Sequence, residues 1–157
     1  MRLIKYLVLS AALAALPALP VLASLGGDLS SVQADRAHMK GALRVSAAAT
    51  SASTGAAFTV HEISTAYGMT VREYARSDGK VFAVTWAGPA NPDLRQVLGS
   101  YYEQFVQAAE AAPPNHRHLV IRQSGLVVEN HGRLRAMGGR AWAPALLPAN
   151  FATDQIK

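Results

Sequence analysis

Cysteine is missing from the 157-residue chain. That excludes disulfides, a thiol nucleophile and the lipid-bearing cysteine of a bacterial lipoprotein. Beyond the N-terminus no apolar run approaches the roughly 20 residues that span a bilayer as a helix. No Gly-x-Ser-x-Gly elbow is present, since Gln123-Ser124-Gly125-Leu126 has the form of a turn only. The pair Gly138-Gly139 lacks the strand–loop–helix setting of a phosphate loop. No internal repeat emerges. Basic excess is also modest, as the full chain has 15 Lys and Arg against 10 Asp and Glu. Nucleic acid is therefore not an expected partner.

What is present begins with a three-part N-terminus. Arg2 and Lys5 precede an apolar stretch over residues 6–16 that only Ser10 interrupts. Pro17 and Pro20 then break helical continuity, and Val21-Leu22-Ala23 places β-branched and small residues at −3 and −1 of a cleavage site. This pattern predicts a secretory signal peptide over residues 1–23, cut after Ala23, and a periplasmic or secreted mature chain without a transmembrane segment. Cleavage removes Arg2 and Lys5, leaving 13 basic against 10 acidic residues in a 134-residue chain. That length suits one domain with one core.

Leu25-Gly26-Gly27-Asp28 reads as a flexible lead-in. Ser30 and Gln33 have the spacing of a capping box, which predicts a short helix over 31–40 with Gly41 as its stop. Residues 46–57 contain only Ala, Ser, Thr and Gly, and with so little to bury they are expected to form a loop. Residues 58–64, 69–76 and 81–87 read as strands of a meander. Asp78-Gly79 suggests a type I′ turn before the last of them. Asn91, Pro92 and Asp93 open a long helix over 92–111 whose stripe contains Leu94, Leu98, Tyr101 and Phe105, while Arg95, Gln96, Glu103 and Gln107 are expected to be exposed. Pro113-Pro114 ends it. Further strands are expected at 117–123, 126–130 and 133–142, with breaks at Ser124-Gly125 and His131-Gly132.

The pattern predicts an α+β fold: an antiparallel sheet, built from a β-meander and further strands, with the long helix packed on one face. The domain division is a signal peptide (1–23), a short helix and flexible loop (24–57), a single α+β domain (58–148) and a C-terminal tail (149–157).

Candidate chemistry is thin. His116 and His118 alternate along a strand and, with Glu129, His131 or His61-Glu62, have the residue types of a zinc site, but their spacing equally suits a polar strand entry. Glu62 and Glu73 lie on adjacent strands, as an acid–base pair requires, yet arginines nearby offer simple ion pairing. Arg117, Arg122, Arg133, Arg135 and Arg140 are a candidate patch for anionic envelope polymers or lipid head groups. In an unbroken strand Arg133 and Arg135 share a face, and Arg140 joins them only if Gly138-Gly139 forms a bulge. Tyr101 and Phe105, at i and i+4, are explained by core packing. No residue is assigned as catalytic, cofactor-binding or metal-ligating, and no cofactor is implied.

Several segments together resemble one family: Leu25-Gly-Gly-Asp28, 31–36 (Ser-Val-Gln-Ala-Asp-Arg), 59–63 (Thr-Val-His-Glu-Ile), 71–74 (Val-Arg-Glu-Tyr), 81–86 (Val-Phe-Ala-Val-Thr-Trp) and 92–98 (Pro-Asp-Leu-Arg-Gln-Val-Leu). The chain is similar along nearly all its mature length to domain of unknown function 2844, a family of exported proteobacterial proteins. The resemblance implies a bacterial exported protein and transfers no activity or functional residue. The expectation is a non-catalytic envelope module that binds an envelope protein or an anionic polymer. The alternative is a small periplasmic hydrolase with metal-dependent chemistry.

Overall fold

A computed structural model describes residues 25–50, 57–113 and 118–157. The signal-peptide segment, residues 51–56 of the expected loop, and His116 and Arg117 lie outside the described residues.

The sheet has seven strands: β1 (Ala42–Thr50), β2 (Ala57–Ser64), β3 (Thr70–Arg76), β4 (Val81–Gly88), β5 (His118–Arg122), β6 (Val127–Arg133) and β7 (Ala136–Trp142). Their spatial order is β1-β2-β3-β4-β7-β6-β5, with every neighbouring pair antiparallel. The chain therefore builds one half outward-in to β4, jumps to the far edge, and returns through β5 and β6 to set β7 beside β4. Crossing three strand spacings covers about 14 Å. The helical connection over 94–110 is long enough for that, at about 1.5 Å per residue.

That connection is interrupted, against the expectation of one continuous helix over 92–111. It runs as α2 (Leu94–Leu98), a 3₁₀ turn (Gly99–Tyr101) and α3 (Tyr102–Glu110). Gly99 adopts a φ of 50° at the break, a conformation open to glycine at little cost. The cap is Asp93, whose carboxylate accepts from the N–H groups of Arg95 and Gln96, and not Asn91. Gln96 is buried, contrary to the expected pattern, whereas Leu98 and Phe105 are buried and Leu94 and Tyr101 half-buried.

The first helix, α1 (Leu29–His38), starts two residues before its expected start. Asp28, rather than Ser30, accepts from the N–H groups of Ser30 and Ser31. At its other end the left-handed residue is Lys40, with φ 49°, not Gly41. The bonds Gly41 N–H to Arg36 O and Lys40 N–H to Ala37 O close a Schellman pair. Gly41 is needed for another reason: a Cβ there would lie 2.5 Å from Ile63 Cγ2.

Three further expectations are corrected. Leu25-Gly26-Gly27 is pinned, with Leu25 fully buried and its N–H bonded to Val97 O, while Gly26 N–H and Gly27 O bond Val81. Residues 46–50, expected in the loop, extend the strand β1 begun at Ala42, because ladder bonds use backbone groups whatever the residue type. In the β3–β4 hairpin only Gly79 has positive φ, at 85°. Gly79 N–H bonds Arg76 O and Arg76 N–H bonds Lys80 O, so the loop is a type I turn followed by a bulge, not type I′.

Two buried clusters occupy opposite faces of the sheet. One contains Val71, Ala75, Val84, Trp86, Ile121, Val128 and Ala141 together with Val32, Val97, Leu98 and Phe105. The other contains Phe58, Tyr74, Phe82, Ala83, Val127 and Trp142, closed over by Phe151 and Ile156 of the C-terminal segment.

Candidate functional site

The face carrying the aromatic cluster is ordered in rows across the strands. One row pairs Glu62, Arg72, Thr85, Arg140 and Glu129 in successive strands. Arg72 Nε bonds Glu62 Oε2 at 2.8 Å. Glu129 sits between Arg140, 2.7 Å away, and Arg122 at 3.0 Å. Arg140 also donates to the carbonyls of Thr153 and Ile156, and Arg72, Tyr74 and Thr85 donate to Lys157 O. This charged row thus does two jobs, pairing across strands and tying down the C-terminal segment.

The next row toward the sheet end is Thr70, Ala87, Gly138, His131 and His118. Above it lies an open cleft of about 900 Å³, backed by Arg72 and Arg140 and bounded by Ile156 and Lys157. Its mouth is formed where Tyr67-Gly68 before β3, the end of β4 at Gly88 with Pro89, and Arg135 with the start of β7 at Ala136 come together. Gly138 lies under the His131 ring, since a Cβ there would come 3.2 Å from His131 Nε2.

The β6–β7 turn falls at Leu134-Arg135, not at the expected break His131-Gly132. Gly132 stays in the ladder opposite Met137, and a Cβ there would strike Met137 Sδ at 2.4 Å. Arg135 takes the positive-φ position of this turn, at 63°. A left-handed non-glycine residue costs on the order of 1 kcal/mol, so its side chain is held at the cleft mouth at some expense. Gly138-Gly139 pairs without interruption to both β4 and β6, so no bulge forms. The turn at Leu134-Arg135 nevertheless puts Arg140 on the same face as Arg122 and Arg133 without a bulge. Arg122 and Arg140 hold Glu129, Arg133 ends β6, Arg135 stands in the turn, and Arg117 lies outside the described residues.

His118 and His131 are cross-strand partners on the cleft row, whereas His61 is buried on the other face. Among the described residues no three His, Asp or Glu side chains are grouped to hold a metal. Glu62 and Glu73 do not face each other, because they occupy positions of opposite parity on β2 and β3, where Glu62 opposes Arg72 and Glu73 opposes His61.

Glu73 instead joins a sealed polar cluster with Asp35 of α1 and Gln96 of α2. Their relative exposures are 1%, 0% and 3%. Gln96 Nε2 donates to Asp35 Oδ1. Burial, with the Asp35 carboxyl beside it, pushes Glu73 up to about 9. Burial likewise raises Asp35 to about 6, opposed by hydrogen bonds from Glu73 and Gln96. Desolvation lowers the pKa of His61, directly across from Glu73, which favours the neutral ring. A raised carboxyl pair is a hallmark of catalytic sites, but this one has no path to solvent and binds α1 and α2 to β3.

Sequence reasoning missed Tyr67, Arg72 and Lys157 as cleft residues. Alternation did place Arg72 on the outer face of its strand, but joining it to Arg140 needs the register of β3, β4 and β7.

A family model described as Protein of unknown function (DUF2844) matches residues 21–156. The chain belongs to this family. No curated protein and no solved structure matches it. The matched span includes both helical regions, all seven strands and every residue of the cleft up to Ile156.

Proposed function

We propose that this DUF2844 protein is an exported, non-catalytic module of the bacterial envelope that binds a protein or polymer partner in the cleft. The observation that carries the reading is the cleft itself: it is open, and among the described residues that line it the basic side chains are Arg72, Arg135, Arg140 and Lys157 and the acidic one is Glu129. Sites of this volume accommodate a ligand of several rings or a short stretch of polymer. Rigid pairing of Arg72 and Arg140 suits recognition without chemistry. In this reading the helical segment 94–110 covers the opposite face, leaving the cleft face to the partner. Export follows from the N-terminal segment, with Ser24 as the first mature residue and a periplasmic or secreted location.

The hydrolase alternative gains no specific support, since its best carboxyl pair, Asp35 and Glu73, is sealed. The test is binding to three classes of envelope partner: acidic polysaccharide, anionic vesicles and envelope proteins. Ala87 is exposed on the cleft floor, and Ala87→Trp should block the partner while preserving circular dichroism. Binding that ignores Ala87→Trp would place the site elsewhere, and binding to none of the three would refute the module reading.

A further inference from the structure

The cleft lining discriminates among partners. Ala87 is exposed in the floor row, while Gly138 beside it is buried with the His131 ring against it, so the open floor there is a methyl group flanked by an imidazole. Such a floor is flat enough to receive a ring lying against it. Tyr67 stands at the mouth with 87% of its surface exposed. An exposed phenol offers an apolar face with a polar tip, which matches the apolar face and hydroxyl rim of a sugar. Thr70 supplies a hydroxyl beside the floor.

The charges point the same way. Arg135 and Lys157 make no ion pair among the described residues. Arg135 also holds its place in a left-handed backbone conformation that glycine or asparagine adopts with less strain. Arg72 and Arg140 stand behind them, already aligned by Glu62 and Glu129. Their N–H groups are engaged by those carboxylates and by C-terminal carbonyls, so it is the guanidinium of Arg135, outside any of these ion pairs, that can take a carboxylate through paired hydrogen bonds.

The geometry points to an acidic polysaccharide as the partner, its rings running over Ala87 against Tyr67 and its carboxylates taken by Arg135 and Lys157. This deepens the reading of the cleft as the binding site and rests on it. A lipid surface is the poorer fit, because the site is concave. An acidic peptide adding as a strand would need a sheet edge, and the floor lies on the interior strands β4 and β7.

Isothermal titration of the purified protein with polygalacturonate oligomers tests this, with neutral dextran as the control. Polygalacturonate should bind and dextran should not, and the affinity should fall as ionic strength rises. Arg135→Gln should weaken binding about tenfold, and Lys157→Gln several-fold. Tyr67→Ala should weaken it several-fold at low and high salt alike, because stacking is not screened. These residues are exposed, so circular dichroism should stay constant. Equal binding by Ala87→Trp, or equal binding of dextran, would overturn the assignment. Vesicles of phosphatidylglycerol, or polyglutamate, bound in an Ala87→Trp-sensitive way without any response to polygalacturonate would also overturn it, yet leave the cleft as a binding site. Failure of all ligands would remove both readings.

Discussion

At the scale of single residues, three non-glycine positions among the described residues have positive φ, Lys40, Arg135 and Asn150, and one buried pair carries an electrostatic cost. Lys40 and Arg135 both sit in the left-handed region, but only Arg135 lines the cleft. Lys40 has no such role, so Lys40→Gly should raise stability by about 0.5–1 kcal/mol in chemical denaturation. The electrostatic cost is the Asp35–Glu73 pair. Both carboxyls hold their proton to higher pH in the folded chain than in the unfolded one, where they titrate near 3.8 and 4.5. The stability tied to that proton is complete below about pH 4 and is lost as pH rises toward the folded values, at up to about 1.4 kcal/mol per pH unit for one proton. Glu73→Gln keeps the shape and a donor but cannot ionise. Melting curves of wild type and Glu73→Gln should therefore coincide near pH 4 and diverge by roughly 2 kcal/mol or more at pH 8, with the variant the more stable. Parallel curves across that interval would show that Glu73 ionises freely. Glu73 was visible in the sequence as the odd polar residue on an apolar strand face. Its partners Asp35 and Gln96 were not, since they come from separate helices.

At the scale of elements, the helical segment 94–110 shows what periodicity can and cannot read. The stripe through Leu98 and Phe105 is buried as its spacing implies. The break at Gly99 rotates the two halves, which is why Gln96 is turned inward toward Asp35 while Leu94 and Tyr101 remain half-buried. Phe105, in the cluster with Ile121 and Leu126, is 8% exposed. Phe105→Ala should cost roughly 3–5 kcal/mol through the cavity it leaves. Gln107→Ala, at an exposed position, should change stability by less than about 0.5 kcal/mol. Alanine is the better helix former in both, so equal losses in thermal melts would contradict this packing. Strands β2, β3 and β4 were legible because β-branched and aromatic runs alternate between turn residues. The second half of strand β1 was not, since the Ala, Ser and Thr sequence of 46–50 carries no pattern and its pairing is a backbone matter. The β6–β7 turn was also misplaced, because Gly132 answers to Met137 across the ladder rather than to a local bend.

At the scale of the whole molecule, the C-terminal segment closes the aromatic face. Phe151 and Ile156 pack on Phe58 and Phe82, and Lys157 is gripped by Tyr74 and Thr85. Deleting residues 149–157 removes two buried apolar side chains, worth about 1.5–3 kcal/mol each, and uncovers three aromatic rings. The shortened protein should melt at markedly lower temperature and bind a hydrophobic dye, and an unchanged melting temperature would show that this segment is not part of the core. In the sequence it reads as a tail, because two apolar residues separated by polar ones give no periodicity. The cleft has the same origin. Local chemistry by itself determined the meander, the placing of the long helical connection and the arginine-rich, cysteine-free composition of the second half, all of which depend on neighbours within a few residues. Only the tertiary structure decided that β7 returns to lie beside β4. That placement sets Thr70, Ala87, Gly138 and His131 in one row and Arg72 beside Arg140, because residues far apart in the chain meet through strand register, and register is settled by the whole sheet at once.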